Sequence, residues 1–126
     1  MRKFLLKIFP LLIAANLQAQ SGLGQYRLIY LFGDSTQVVK QQRWLSSDAA
    51  GCKERSIKII LADSSVHGQA LYRQFNVTNP VFTLILMGKD GGEKFRSYEP
   101  VTPHQLFAII DQMPMRKQEL KLRPNH

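Results

Sequence analysis

The sequence predicts a small α/β domain in which helices flank a mixed four-stranded sheet. Two apolar segments, residues 25–32 and 56–62, are each followed by residues that cap helices, as in parallel β-α-β units. A third apolar segment is joined to a charged one by Asp90-Gly91, a strong hairpin signal. Because a capped amphipathic helix follows, the domain is expected to end with a β-hairpin and a helix.

The first strand is predicted over residues 25–32, since QYRLIYLF is rich in aromatic and branched residues. Asp34 or Ser35 can accept hydrogen bonds from the first N–H groups of a helix over residues 36–45. This helix is expected to bury three side chains and expose four: Val38, Val39 and Leu45 inward, and Lys40, Gln41, Gln42 and Arg43 outward. Residues 46–51 are predicted to form a loop.

The second strand, predicted over residues 56–62, is apolar on both faces apart from Lys58. Such a strand is typical of the middle of a sheet that helices cover on both sides. A short helix is then predicted to continue to Phe75. It has three candidate caps: Asp63, Ser64 and Ser65.

The third strand, residues 81–87, is the most hydrophobic of the four. A turn over residues 89–92 leads into the fourth strand, residues 93–98, in which charged and uncharged residues alternate. Lys94 and Arg96 supply two of these charges, which indicates an edge strand with one face in water.

The last helix begins with a capping box. Thr102 caps it, Pro103 takes the first helical position and Gln105 stands three residues after the cap. Its buried stripe has five members: Leu106, Phe107, Ile109, Ile110 and Met113. Pro114 is expected to end it. The element order, strand-helix-strand-helix-strand-strand-helix, predicts a thioredoxin-like domain.

The redox chemistry associated with such a domain is not supported by the sequence. A redox thiol would stand where the first helix begins, because a helix N-terminus lowers a thiol pKa, but residues 33–37 contain no cysteine. Phe82 occupies the position expected for a substrate-clamping cis-proline, and Pro80 lies two residues earlier, which puts such a proline in doubt. A peroxidase would need a cysteine with adjacent Arg and Thr near the same helix, and that arrangement is also missing from the sequence.

Cys52, the one cysteine of the chain, lies just before the second strand. A single cysteine in an oxidising compartment forms no internal disulfide, so three interpretations stay open: a buried inert thiol, a bridge to another chain, or a reactive thiol. A lone thiol most often behaves as a small buried hydrophobe, so no catalytic residue is predicted. The alternative is a thiol-dependent oxidoreductase or peroxidase-like enzyme that uses Cys52.

Neither a metal site nor a cofactor is predicted. The histidines are scattered, without a cysteine or carboxylate at metal-ligand spacing: His67, His104 and His126. Asp34 and Asp63 follow strands predicted to be parallel, and so can meet at the sheet edge where α/β domains bind ligands. Helix capping explains both aspartates without a ligand, and turn formation explains Asp90.

The first 19 residues are predicted to be a signal peptide. Arg2 and Lys3 give a positive start, an apolar run follows, and Ala19 ends a small-residue cleavage site before Gln20. The run is shorter than the ~20 residues that span a bilayer, so a membrane-spanning helix is not expected. The alternative is an amphipathic or buried helix of the mature domain. We therefore expect a periplasmic or secreted protein.

Residues 20–114 are predicted to form one thioredoxin-like domain, because a chain of this length folds on a single core. Residues 115–126 are expected to be a basic tail, either frayed or a short terminal helix. The net charge is +8, and without the three charges of the predicted signal peptide it is +5. Such a balance favours acidic partners, and the alternative is that it serves solubility alone. Nucleic acid is not expected, because no dense basic block with interleaved aromatic residues is present.

Four cations form the predicted binding site: Lys89, Lys94, Arg96 and Arg116. They make one cationic patch if the hairpin and the segment after the last helix come together. Such a patch would bind an acidic polymer or the carboxylates of another exported protein. The alternative is a solvated edge strand whose charges protect it from pairing with other chains.

The C-terminal third of the chain carries a distinctive motif. Its elements are Gly88-Lys89-Asp90-Gly91, the Lys94/Arg96 pair, Leu106-Phe107, and Ile110-Asp111 running into Met113-Pro114-Met115-Arg116. With Glu54-Arg55 and the spacing of Gln41 and Leu45 upstream, the sequence resembles the P-DUDES domain family. That family is found in vertebrate matrix proteins such as Equarin and the sushi-repeat proteins, and as short exported bacterial proteins. The resemblance implies a thioredoxin-like fold, an extracytoplasmic location and no established catalytic residues.

Together these observations predict an exported, non-catalytic binding or interaction module on a redox-inactive thioredoxin-like scaffold.

Overall fold

The computed structural model describes residues 24–123, so the predicted signal peptide lies outside the described part. The elements follow one another in the order β1 (Arg27–Phe32), α1 (Ser35–Ser46), α2 (Ala49–Glu54), β2 (Ile57–Leu61), α3 (Val66–Gln74), β3 (Thr83–Met87), β4 (Glu93–Ser97), α4 (Pro103–Asp111) and α5 (Pro114–Lys121). The predicted α/β class with a hairpin and a helix near the end is confirmed. Within residues 24–123, every helix is too short or too polar to cross a membrane.

The four strands form one mixed sheet in the order β2-β1-β3-β4. β1 runs parallel to β2 and antiparallel to β3, and β3 runs antiparallel to β4. The mixed four-stranded sheet is therefore as predicted, with β4 at one edge. The prediction that β2 lies in the middle was wrong, because apolar residues on both faces of a strand reflect helices on both faces and say nothing of its edges.

Two apolar cores lie on opposite faces of the sheet. The larger one, below α1 and α4, contains Ile29, Leu31, Leu45, Phe82, Leu84, Leu86, Val101, Leu106, Phe107 and Ile110. The smaller one, below α3, contains Phe32, Leu71, Phe75 and Ile85. Successive strand residues alternate between the faces, so Leu31 enters the first core and Phe32 the second.

Helix α1 is rotated relative to its prediction. Gln41, expected to face outward, is buried, whereas Val39, expected inward, is 49% exposed. The Gln41 amide pairs through both its nitrogen and its oxygen with one backbone position: Nε2 donates to the Val101 carbonyl at 2.8 Å, and the Val101 N–H donates to Oε1 at 2.7 Å. A buried amide is stable where it is paired in this way, and the partner lies 60 residues away in sequence.

The segment predicted as a loop over residues 46–51 contains the start of a helix. Asp48 caps α2 by accepting a hydrogen bond from the Gly51 N–H at 2.9 Å. Cys52 consequently lies within a helix and is oriented by it. The loop prediction was wrong because small residues favoured a turn while the capping aspartate favoured a helix.

The capping box of α4 is confirmed. Thr102 Oγ1 accepts from the Gln105 N–H at 3.2 Å, and Gln105 Oε1 accepts from the Thr102 N–H at 3.2 Å. Helix α4 ends at Asp111, before the position predicted to stop it. Pro114 instead occupies the first turn of α5, where a missing N–H costs nothing.

Candidate functional site

A cleft of about 190 Å³ lies between the turn of the β3–β4 hairpin and the junction of α4 with α5. Three cations, one carboxylate and a short apolar segment line it: Arg27, Lys89, Lys94, Asp90, Gly88, Met113, Pro114 and Met115. We call this the hairpin cleft. The hairpin and the post-helix segment do come together, and they place Lys89 and Lys94 on the wall of one cavity.

The hairpin turn is held by its own backbone and by Asp90. Gly91 has a φ of +84°, and the Gly88 N–H donates to the Gly92 carbonyl at 2.9 Å. Asp90 accepts from the Gly92 N–H at 2.9 Å and from Lys94 Nζ at 2.7 Å. The Lys94 hydrogen bond, followed by that of Gly92, holds the pKa of Asp90 below its usual value. The turn therefore positions the Lys94 ammonium at the rim of the cleft.

Arg27 and Lys89 converge on Glu119 of α5. Arg27 Nη1 and Nη2 donate to the two carboxylate oxygens at 3.2 and 3.0 Å, and Lys89 Nζ donates to Oε2 at 2.8 Å. Burial raises the pKa of Glu119, but the hydrogen bonds from Arg27 and Lys89 outweigh it and leave that pKa below its usual value. Glu119 thus neutralises part of the charge behind the cleft wall.

Arg27 is the most deeply buried cation of this group, with 1% of its side chain exposed. Besides Glu119, its Nη1 donates to the Arg55 carbonyl at 2.9 Å. Its Nε has no hydrogen-bond partner within residues 24–123. Sequence reasoning missed Arg27, although a signal was present: it stands in phase with Ile29 and Leu31, the core-facing residues of β1.

Arg116, predicted as part of the patch, is instead buried in a structural cluster. Its Nε donates to Asp111 Oδ1 at 3.1 Å and its Nη1 to the Glu54 carbonyl at 3.4 Å, and its side chain is 4% exposed. Arg55 donates to both Asp111 oxygens at 3.0 and 2.9 Å. Hydrogen bonds from Arg55 and then Arg116 hold the pKa of Asp111 below its usual value. This cluster ties α2, α4 and α5 together.

Arg96 lies apart from both groups. It is on β4 opposite Ile85 and donates to both oxygens of Glu93, at 2.9 and 2.8 Å. Each of the four predicted binding residues therefore makes an ion pair within the chain, and only Lys89 and Lys94 line the hairpin cleft.

Cys52 is half-buried in α2 and lines a second cleft, of about 340 Å³, between α1, α2 and β2. Its thiol faces the Leu45 carbonyl, with Sγ 3.6 Å from the oxygen. Burial raises the pKa of the thiol, Asp48 raises it further, and Arg55 lowers it. The net effect is opposite to the lowered pKa that activates a cysteine nucleophile.

Aspartates follow β1 and β2: Asp34 caps α1, whereas Asp63 makes a turn to Ser65, which is the cap of α3. Asp34 accepts from the Thr36 N–H at 3.1 Å, and Asp63 accepts from the Ser65 N–H at 3.0 Å. The Asn79–Pro80 peptide is cis, and the Pro80 carbonyl accepts from the Asp34 N–H at 3.0 Å. A cis-proline, left in doubt by the sequence, thus lies beside the start of α1. Across residues 24–123, no three His, Cys, Asp or Glu side chains are grouped to hold a metal.

Comparison with known proteins adds a family and distant relatives. The family model described as Domain of unknown function (DUF4174) matches residues 19–119. Sushi repeat-containing protein SRPX2 of Homo sapiens and that of Rattus norvegicus are each 40% identical to this chain over 52 residues. Those matches cover 40% of this chain and 11% of each relative, so the chain corresponds to a small part of either. No solved structure matches.

Proposed function

The chain belongs to the family described as Domain of unknown function (DUF4174), and we propose that it is an exported, non-catalytic binding module. Its hairpin cleft takes an acidic group of a polymer or of another exported protein. The observation that carries this proposal is the cleft wall, where three cationic side chains stand with one carboxylate around a cavity of about 190 Å³.

The wall combines a fixed and an adjustable source of positive charge. Arg27 and Lys89 are anchored on Glu119, behind the wall, whereas Lys94 is 35% exposed and pairs with the more exposed Asp90. Exposed ion pairs contribute little to stability, so an incoming carboxylate can replace Asp90 as the partner of Lys94 at small cost. Met113, on the same wall, offers an apolar surface to the stem of the bound group.

The non-catalytic part of the proposal rests on Cys52. Thiol chemistry requires a thiolate, and burial together with Asp48 favours the protonated thiol at this position. The thiol also lies in α2, whereas the start of α1, where a thioredoxin-like enzyme would hold its nucleophile, carries Asp34 and Ser35.

Export and the finer family assignment are supported by the two ends of the sequence. The basic start, apolar run and Ala19 support a cleaved signal peptide and a periplasmic or secreted location. The match to the sushi repeat-containing proteins supports the P-DUDES assignment made from the C-terminal motif. The strand order β2-β1-β3-β4, with β1 and β2 parallel, supports a thioredoxin-like fold.

Retention on immobilised polyglutamate, eluted with a salt gradient, tests the binding role. Replacing both Lys94 and Arg96 by Glu should lower the salt concentration at elution, because the change reverses two charges around the hairpin. The single changes Lys94→Gln and Arg96→Gln remove equal charge from the same strand, but only Lys94 lines the cleft. Lys94→Gln should weaken retention and Arg96→Gln should leave it nearly unchanged. Retention that survives the double change would refute the cleft as a binding site.

Export is tested separately by N-terminal sequencing of the protein recovered from outside the cytoplasm. A mature chain that begins at Gln20 is expected, and an intact Met1 would contradict the predicted cleavage.

A further inference from the structure

The outer edge of β2 (Ile57–Leu61) contributes no residue to the hairpin cleft. We propose that it binds an extended segment of another protein, with alternating apolar and acidic residues, which adds to the sheet as a fifth strand. Main-chain hydrogen bonds supply the affinity in this mode of recognition, and pockets for alternate side chains supply the specificity.

Among residues 24–123, the hydrogen-bond phase of the β1–β2 ladder leaves one side of β2 without a main-chain partner. The Arg27 N–H donates to the Ser56 carbonyl at 2.8 Å, and the Ala62 N–H donates to the Leu31 carbonyl at 3.0 Å. In a parallel ladder with this register, even-numbered residues of β2 bond to β1. The N–H and C=O groups of the other three residues point away from the sheet: Ile57, Ile59 and Leu61.

The two edges of the sheet differ in the features that prevent pairing with a strand of another chain. β4, with the sequence EKFRS, carries three charges and an irregularity in its pairing with β3, devices that discourage edge-to-edge pairing. β2, with the sequence IKIIL, carries one charge among four large apolar residues and pairs regularly with β1. Leu61 at its end is 46% exposed. An edge of this composition is suited to accept another strand.

The cleft of about 340 Å³ beside β2 provides a place for the apolar side chains of an added strand. Ile57 and Ile59 form its strand side, Leu45 and Cys52 form its helix side, and Tyr26, 43% exposed, stands at its end. Apolar residues at every second position of the added strand would point toward this cleft, on the face shared by Ile57 and Ile59.

The charges around the edge favour an acidic occupant. Lys58 is exposed in the middle of β2, and Lys53 lies on the cleft wall. Neither makes an ion pair with a carboxylate of residues 24–123, and the Lys58 ammonium is 5.8 Å from the centre of the Tyr26 ring. An added strand with carboxylates on the face of Lys58 and apolar residues on the cleft face would match the residues on both faces of β2. A second copy of the chain would instead bring a second Lys58 to the same edge.

The test uses an acetylated and amidated hexapeptide of alternating valine and glutamate, titrated into the ¹⁵N-labelled protein. We expect the amide signals of Ile57, Ile59 and Leu61 to shift and to gain protection from hydrogen exchange, with binding detectable at about 1 mM peptide. The same peptide with lysine in place of glutamate should bind about tenfold more weakly, since it would face Lys58.

Two further measurements isolate the main-chain contacts. Ile59→Pro removes an outward N–H that β1 does not use, and Ile59→Ala truncates the same side chain but keeps the N–H. The proline variant should bind about tenfold more weakly than the alanine variant. The proline variant is informative only if its β1–β2 amides stay protected from hydrogen exchange. If they do not, the test uses the native protein with a peptide N-methylated on its β2-facing residues, and this peptide should not bind.

Three results would overturn the proposal. One is an absence of shifts along β2 at about 1 mM peptide. Another is equal binding of the N-methylated peptide. The third is a concentration-dependent dimer formed through β2, which would make a second copy the occupant. The read-out here is the amide signals of Ile57, Ile59 and Leu61, none of which lines the hairpin cleft, so failure here and failure of the hairpin cleft are distinguishable.

Discussion

Arg27 and Glu119, 92 residues apart in sequence, are joined by two hydrogen bonds of 3.2 and 3.0 Å. The contact links the first strand of the sheet to α5. Arg27 points into the core face of β1, and its charge is compensated there because α5 places a carboxylate over it. The segment expected to be a basic tail thus supplies a partner that the folded domain needs.

Replacing Glu119 with Gln should lower the free energy of unfolding by about 2 to 3 kcal/mol, because it leaves Arg27 buried without a countercharge. The free energy can be measured by urea denaturation. Glu99→Gln is the control, since Glu99 is exposed and makes no ion pair within residues 24–123, and it should change stability by less than about 0.5 kcal/mol. Equal effects of the two changes would contradict a structural role for the Arg27–Glu119 contact.

Truncation tests the domain boundary at residue 114. A chain ending at Pro114 loses Glu119 and also Arg116, which bonds to Asp111. It should unfold at clearly lower urea concentration than a chain ending at Lys121, which keeps both. If the two truncated chains unfold at the same midpoint, α5 is a dispensable tail and the boundary predicted from the sequence is right.

Gln41→Ala should destabilise the protein by about 2 to 4 kcal/mol, because it leaves the buried N–H and C=O of Val101 without partners. The control is Gln42→Ala, a change of the same size at the adjacent, less buried position, for which less than about 1 kcal/mol is expected. Thermal unfolding followed by circular dichroism measures both. A loss for Gln41→Ala no larger than that of the control would mean that water replaces the amide at Val101.

Asp111 makes stability depend on pH in the acid range. Hydrogen bonds from Arg55 and Arg116 hold its pKa below the ordinary value of 3.8, so its contribution is complete above that value. The contribution is lost as the pH falls through the lower pKa of the folded state, where the carboxylate takes up a proton. Asp111→Asn should therefore reduce stability at about pH 7 and show a shallower decline toward about pH 3 than the unchanged protein. Parallel pH profiles of the two proteins would exclude Asp111 as a source of this dependence.

The features that could be predicted from the sequence are those whose signal lies within a few residues. The capping box of Thr102 and Gln105 and the hairpin turn at Asp90 are local hydrogen-bond patterns, and both are found as predicted. The alternation of charged and uncharged residues and the apolar segments likewise predicted the four strands, whose observed ends differ from the predicted ones by one or two residues.

The features that the sequence did not reveal depend on partners far along the chain. Gln41 is buried because Val101 satisfies it, and Arg27 is buried because Glu119 compensates it. The predicted patch divided for a different reason: Arg96 pairs with Glu93 and Arg116 with Asp111, nearby carboxylates that the prediction did not take into account. No local pattern encodes the pairing of Gln41 with Val101 or of Arg27 with Glu119, because each forms only when distant parts of the chain pack together.

Alkylation of Cys52 decides between the binding module and the thiol-dependent enzyme. Because burial and Asp48 raise the thiol pKa, iodoacetamide at neutral pH should react more slowly with the native protein than with the urea-unfolded protein. Asp48→Asn removes the charge but keeps a good cap for α2, so it should speed the native reaction while leaving the unfolded rate unchanged. A native rate well above the unfolded rate would mean an activated thiolate. The thiol-dependent enzyme would then become the leading interpretation, because reactivity above that of the unfolded chain requires an environment that stabilises the thiolate.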